Sequence, residues 1–389
     1  MPRDPLFTRS FVLVSLANLL QGLSFFLFIH LPSYLTDLGA GEVQVGIIVG
    51  VTAIASIAVR PFIGPILDTG GRRPVILFGG LLNTAAVALY LTVNSLGPWL
   101  YAVRILHGIA EATMFTALFT YGADIVPASR RTEGLALFGV SGLLPIALGG
   151  VIGELVLRWG TFHALFLTAA GFGLAAVAMA LNLPEPSHGT EPDSERVGFV
   201  RSVVRPNLLP IWLITATFSM VLSGYFTFLR TFVDETGIGS VGLFFATYAG
   251  TAITLRILFA RLPERIGERK VLFPALFALV AGFLVLARAD SATYLAVAGV
   301  LCGTGHGYAF PILYGFTVTR ASAEDRGSVL AFFTALFDVG TLLGGPILGA
   351  IISWFGYSTM YVTAAVILTA GIAVYATWDR RYDPASVPD

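Results

Sequence analysis

The chain has 389 residues, 56% apolar and 12% charged, with 23 acidic and 23 basic side chains and a mean hydropathy of +0.82. A soluble domain carries about 25% charged residues, so this composition excludes an ordinary globular protein, and zero net charge with no basic region excludes a nucleic-acid partner. A single cysteine, Cys302, excludes an internal disulfide or a thiolate zinc site, and neither a metal site nor a cofactor is expected.

Crossing about 30 Å of hydrocarbon takes about 20 apolar residues in a helix. Twelve runs meet that requirement, near 8–35, 43–67, 74–94, 98–124, 133–157, 162–183, 208–233, 241–262, 271–288, 291–319, 328–353 and 358–378. The first follows a short polar segment, is interrupted by Asn18 and Gln21, and lacks a small-residue cleavage site, so it reads as a span and not a signal peptide. Joins such as Asn94 to Pro98 and Trp354 to Tyr357 make neighbouring helices antiparallel. The stretch Pro184 to Asn207 is different: rich in Pro, Ser and carboxylates, it reads as a solvated linker. The expected fold is an all-α membrane protein of 12 transmembrane helices in two pseudo-symmetric six-helix bundles, residues 1–183 and 208–389, joined by linker 184–207.

Charge placement supplies an orientation. Of the 23 lysines and arginines, 17 fall on the side of the termini, three (Arg158, Arg230 and Arg288) toward the opposite face, and Arg60, Arg104 and Arg256 within spans. The positive-inside bias predicts that both termini are cytoplasmic.

The chain also repeats itself. The turn at 64–73 (GPILDTGGRR) returns at 260–270 (ARLPERIGERK), with Asp68 answering to Glu264, Gly71 to Gly267, Arg73 to Arg269, and Arg60 to Arg256. The copies are unequal, since Gly64, Asp68 and Arg72 of the first become Ala260, Glu264 and Glu268 in the second. Gly149 and Gly153 recur as Gly345 and Gly349. Small-xxx-small spacing of this kind reads first as close helix packing.

Ionisable side chains at membrane depth are costly and by default functional. Helix four carries Arg104, His107 and Glu111 at spacings of three and four, hence on one face, with Gly108 beside them. Counting about 1.5 Å per residue from Pro98 puts Glu111 near mid-membrane. Glu111 reads as the main proton site, with His107 or His306 as modulators. The structural alternative is an Arg104–Glu111 ion pair that pins the helix. Asp338 in helix eleven is a second proton-coupling candidate, or else a packing or gating residue. Arg60 and Arg256 either snorkel to the headgroups or pair with a carboxylate across the interface between halves. Without a GxxxxGK[ST] loop or a nucleophile–base pair, no enzymatic activity is expected.

Three motifs give this pattern a family. Gly64, Asp68, Gly71, Arg72 and Arg73, beside Leu67, follow G-x-L-x-D-R-x-G-R-R/K, with Ile66 where Leu is common and Thr69 in place of a basic residue. Arg104, Gly108 and Ala112 follow R-x-x-x-G-x-x-x-A, and Gly139, Gly142, Pro145, Gly149 and Gly150 loosely follow a glycine-rich helix-five motif with a central proline. In these features the chain resembles the major facilitator superfamily, and within it the twelve-helix drug and metabolite proton antiporters. The resemblance implies a cytoplasmic gate of Gly64, Asp68, Gly71, Arg72 and Arg73, with Asp124 in reach, that latches the halves when the transporter opens outward. It also implies a central cavity between helices one, four, seven and ten, drawing in Asn18, Gln21, Tyr225 and His306, with Phe115 and Phe310 among its aromatic residues. The implied activity is proton-coupled efflux of a small amphiphilic molecule by alternating access, performed by a monomer in the inner (plasma) membrane, with protons and the lipid bilayer as partners. The alternative is an importer or facilitator of a small organic anion clamped by Arg104.

Overall fold

The computed structural model describes residues 5–127, 131–186, 204–259, 262–321 and 326–382. These form helices and short turns, with no strand among them. That is the outcome expected where lipid cannot satisfy an open backbone: each helix closes its own hydrogen bonds. The first span is α1 (Arg9–Phe26), a 3-10 turn (Leu27–His30) and α2 (Leu31–Asp37) in series. There follow α3 (Glu42–Gly70), α4 (Arg72–Leu89), α5 (Pro98–Ile125), α6 (Arg131–Trp159) and α7 (Phe162–Ala180). The second set holds α8 (Leu209–Thr236), α9 (Val241–Leu258), the short α10 (Leu262–Ile266), α11 (Glu268–Ala287), α12 (Ala292–Arg320) and α13 (Arg326–Trp378).

Local signals set several boundaries. Thr8 and Ser240 cap α1 and α9 through their hydroxyls, accepting from the backbone N–H groups of Phe11 and Leu243. Pro98 and Pro210 occupy first-turn positions of α5 and α8, where no backbone donor is needed. Gly237, in the left-handed conformation at φ 66°, stops α8.

Residues 326–378 look like one helix of 53 residues, yet Gly356 has φ 78° and ψ 173°. The chain folds back there, because both limbs lie along α8. Gly344 sits beside Ser223 going one way, while Met360 reaches Gly224 and Gly371 meets Thr217 on the return. Among the described residues, eleven segments are long and apolar enough to cross a membrane, and counting the two limbs of the last separately gives twelve.

The internal repeat is also a repeat of backbone shape. Gly71 and Gly267 both take positive φ (87° and 104°) between consecutive helices. A Cβ on Gly108 of α5 would stand 2.8 Å from Thr52 Cα, and one on Gly303 of α12 would stand 2.9 Å from Tyr248 Cα. Thr52 and Tyr248 are 196 residues apart, so the same close crossing is built twice. The two sets meet through α3 against the outgoing limb of α13, and through α6 against α9. Gly46 lies on the Gly345 backbone, Gly349 on that of Glu42, and Gly150 beside Gly242. With twelve antiparallel spans both chain ends lie on one side, and these contacts all sit toward the other, far side.

Candidate functional site

Helix α5 was expected to present Arg104, His107 and Glu111 together, but the structure separates them. Arg104 is 4% exposed, and its guanidinium turns to α3: Nε donates to Ile48 O at 2.9 Å, and Nη2 to Val49 O at 2.7 Å and Thr52 Oγ1 at 3.1 Å. Nη1 donates to the Tyr90 hydroxyl at 3.3 Å. Ser56 Oγ donates to Gly108 O at 3.1 Å, so the residues of this motif clamp α3 to α5. His107 is fully buried beside Phe28 and Tyr90, with Nδ1 3.3 Å from the Tyr90 hydroxyl and Nε2 without a partner among the described residues.

Glu111 is half-buried and forms no hydrogen bond or ion pair among the described residues; Asp338, Arg60 and Arg104 lie within electrostatic reach. Arg60 Nε of α3 meets Asp338 Oδ2 of α13 at 2.8 Å, with side chains 19% and 20% exposed. The Arg60 guanidinium also lies 6.0 Å from the Phe115 ring centroid, one helical turn beyond Glu111. Phe115 is 43% exposed although it lies at the level of an ion pair that joins the two sets. Phe119 of α5 and Tyr314 of α12 are also more than a third exposed, on the terminus side of that level.

The second set answers with different chemistry. His306 of α12, 195 residues after Glu111, is half-buried and hydrogen-bonded through Nδ1 to the Tyr248 hydroxyl. Phe310 packs on it with centroids 5.9 Å apart and on Phe337 at 5.2 Å. Arg256, the counterpart of Arg60, donates from Nε to Gly307 O at 3.4 Å. Tyr225 departs from the expected cavity position: fully buried, it packs among Phe226, Phe244 and Phe283 inside the second set, with its hydroxyl 3.5 Å from that of Tyr248. Its neighbour Phe226 is the residue that reaches the first set, at 6.5 Å from Phe26. Of the α1 pair, Asn18 Nδ2 donates to Ser141 Oγ at 2.9 Å, and Gln21 is 6% exposed with no partner for Oε1 among the described residues.

At the terminus side, Arg72 Nε meets Asp124 Oδ2 at 2.8 Å and Nη1 donates to Leu67 O at 2.7 Å. Arg73 Nη2 donates to Leu181 O at 2.9 Å. No sequence signal marks Glu185, which stands at the head of the linker. Its carboxylate accepts from the backbone N–H groups of Arg72 (2.6 Å) and Arg73 (2.9 Å), at the N-terminal end of α4 where the helix dipole favours an anion. These bonds stay within the first set. Gly64 has open space at its Cβ position, and the Asp68 side chain lies outside the described residues.

A family model described as Major Facilitator Superfamily matches residues 13–262 and again 211–389. The chain belongs to the major facilitator superfamily. It is a membrane transporter of that type and a multi-pass membrane protein. It is 25% identical over 373 residues to an uncharacterized MFS-type transporter, YhhS, of Escherichia coli, covering 92% of this chain and 89% of the relative. Among solved structures, a bacterial homolog of the human lysosomal transporter Spinster, inward-facing and unoccupied, superposes with a TM-score of 0.80 at 15% identity over 97% of this chain and 98% of that one. The human organic anion transporter MFSD10 (TETRAN) gives 0.74 at 20% identity, over 96% and 100%. A nucleoside transporter, NupG, gives 0.75 at 12%, over 95% and 99%. At such identities the likeness is one of fold, and the differing names carry no cargo over to this chain.

The contacts on the far side are polar as well as close. The Tyr357 hydroxyl donates to Glu42 Oε1 at 2.7 Å between the two sets. His30, fully buried, faces Gly150 O through Nε2 at 3.2 Å and Arg230 Nη1 of the second set through Nδ1 at 3.4 Å. Arg230 is also paired with Asp234 at 2.9 Å. Neither bridge has a local sequence signature, because its two partners come from different halves.

Proposed function

We propose that this superfamily member is a proton-coupled exporter of a small amphiphilic molecule, working as a monomer in the inner (plasma) membrane with both termini cytoplasmic. Its bundles are residues 1–183 and 208–389, with 184–207 as the linker, and they rock about a site at mid-membrane. The observation that carries the reading is the state of Glu111. A carboxylate at this depth without a hydrogen bond or ion pair among the described residues costs several kcal/mol if charged. It therefore suits a group that holds a proton in one state and gives it up in another. Beside it, Arg60–Asp338 joins the halves, so a change of charge at Glu111 acts on a contact that must break for the transporter to turn over.

Phe115 and Phe119 of α5 and Phe310 and Tyr314 of α12 lie on helices that flank the site in this reading, and they favour an apolar or aromatic cargo. Close contact on the far side together with exposed Phe115, Phe119 and Tyr314 supports a state open toward the termini, and the positive-inside charge distribution makes that side cytoplasmic. A gate of Gly64, Asp68, Gly71, Arg72, Arg73 and Asp124 that latches the halves belongs to the opposite state in this scheme. The engagement of Arg104 by α3 carbonyls and Tyr90 weighs against its use as an organic-anion clamp and favours Glu111 as the working polar group.

The test is transport of an amphiphilic fluorescent dye in proteoliposomes under an imposed pH gradient. Glu111→Gln is expected to abolish gradient-driven transport while leaving dye exchange intact. Gradient-driven transport equal to that of the unaltered protein would sink the proposal.

A further inference from the structure

Arg60 and Arg256 hold matching places in the internal repeat, but their surroundings differ. Arg60 has two carboxylates for company, Asp338 at 2.8 Å and Glu111 within electrostatic reach. Around Arg256 both are replaced. His306 stands where the repeat puts Glu111. Counting back 195 or 196 residues from Asp338 reaches Leu143 or Gly142 of α6, the helix that packs on α9.

Little is left to hold the Arg256 charge. The half-buried side chain makes one hydrogen bond among the described residues, Nε to Gly307 O at 3.4 Å, and no ion pair. The N–H groups of both its terminal nitrogens stay without an acceptor there. Arg256 lies in the last turn of α9, and its one bond turns it toward α12 and not out to the headgroups. A cation in a span is costly unless something pairs with it. His306 offers a second donor beside it. The Tyr225 hydroxyl donates to that of Tyr248 at 3.5 Å, and the Tyr248 hydroxyl donates to His306 Nδ1. That order of donors assigns the imidazole proton to Nε2, which has no partner among the described residues. The same ring lies within electrostatic reach of Arg256. Phe310 and Tyr314 follow His306 at four-residue spacing on one face of α12, each ring packed on the one before.

We propose that Arg256 and His306 form a subsite for a carboxylate of the cargo, whose apolar body lies along Phe310 and Tyr314. The proposal rests on the exporter reading above and narrows it, since the amphiphile becomes an anionic one. A guanidinium fork matches the two oxygens of a carboxylate, and an imidazole N–H adds a third donor. The cargo then brings to Arg256 the negative charge that Asp338 brings to Arg60. A neutral analogue of the same shape would leave the cation unpaired.

Purified full-length protein in detergent is titrated with dansylglycine, an aromatic carboxylate, and with its neutral amide, dansylglycinamide. Binding is read from the dansyl fluorescence. The carboxylate is expected to bind about tenfold more tightly than the amide. Arg256→Gln is expected to bring the two dyes to equal affinity. His306→Phe, an independent variant that keeps a ring but has no donor, is expected to narrow the preference about threefold. Equal affinities in the unaltered protein, or a preference unchanged in either variant, overturn the proposal. So does acetate competing as strongly as dansylglycine, which would make the ligand any small anion. No pH gradient enters this measurement, so it is separate from the Glu111 test. A carboxylate preference beside normal gradient-driven transport in Glu111→Gln keeps the subsite and removes the proton site; the reverse pair of results does the opposite.

Discussion

Arg60 Nε and Asp338 Oδ2 stand 2.8 Å apart although 278 residues separate them, and their ion pair ties α3 of one half to α13 of the other. Each side chain keeps about a fifth of its surface exposed, so the pair is weaker than a sealed one. Removing a single partner leaves the other charge at membrane depth, which costs more than removing both. Arg60→Met and Asp338→Leu are each expected to destabilise the protein by about 2 kcal/mol, and the double variant by less than the sum. A double-mutant cycle on unfolding midpoints measures this; additive losses would show that the pair is not coupled.

The bridge between Glu42 and Tyr357 makes a second prediction. Tyr357→Phe deletes one hydrogen bond between the halves, worth about 1 kcal/mol, and should move the population toward the state open on the far side by about fivefold. Cys302 is fully buried, so a cysteine introduced at Gln21 can be followed with a membrane-impermeant maleimide against a quiet background. Labelling from the far side should quicken about fivefold in Tyr357→Phe. An unchanged rate would mean the hydrogen bond does not hold that side shut.

The spans and the duplication were legible because they rest on composition and period, which the chain carries locally. Gly71 and Gly267 could be paired from sequence, and both indeed take positive φ. What stayed hidden was rotation about each helix axis. Tyr225 and Phe226 differ by about 100° around α8, and the expectation chose the residue that faces inward to its own set. Spacing sets Arg104 beside Glu111, yet its partners include the α3 carbonyls of Ile48 and Val49, which any sequence would offer. For Arg60 the sequence allows both snorkelling and pairing, since nothing local names a partner 278 residues away. In sequence Glu185 is only part of a solvated linker, because its role as an anion on α4 exists only once the head of the linker folds back.

The crossing of α3 and α5 can be tested by contrast. Ala is favoured over Gly inside a helix by about 1 kcal/mol, and at Gly139 an added Cβ meets nothing within 4 Å. Gly139→Ala should therefore be neutral or slightly stabilising. At Gly108 the added Cβ would stand 2.8 Å from Thr52 Cα, so α3 must move away and Arg104 must stretch its bonds to Ile48 and Val49. Gly108→Ala is expected to cost about 2 kcal/mol despite the same propensity gain. Unfolding midpoints in detergent decide it, and equal midpoints for the two variants would count against a close crossing.

The paired turns give the last test. Alanine at Gly267, with φ 104° and only the Lys270 side chain near at 3.9 Å, should cost about 1 kcal/mol of backbone strain. Alanine at Gly71, with φ 87°, meets the same strain and also places its Cβ 2.9 Å from Glu185 Oε1. It must therefore loosen the carboxylate from the N–H groups of Arg72 and Arg73, a cap worth about 1 kcal/mol more. Gly71→Ala is expected to lower the unfolding midpoint further than Gly267→Ala in the otherwise unaltered protein. In a Glu185→Ala background the two should converge, because the cap is already gone. A gap that persists there would assign the extra loss to strain in the turn and not to Glu185.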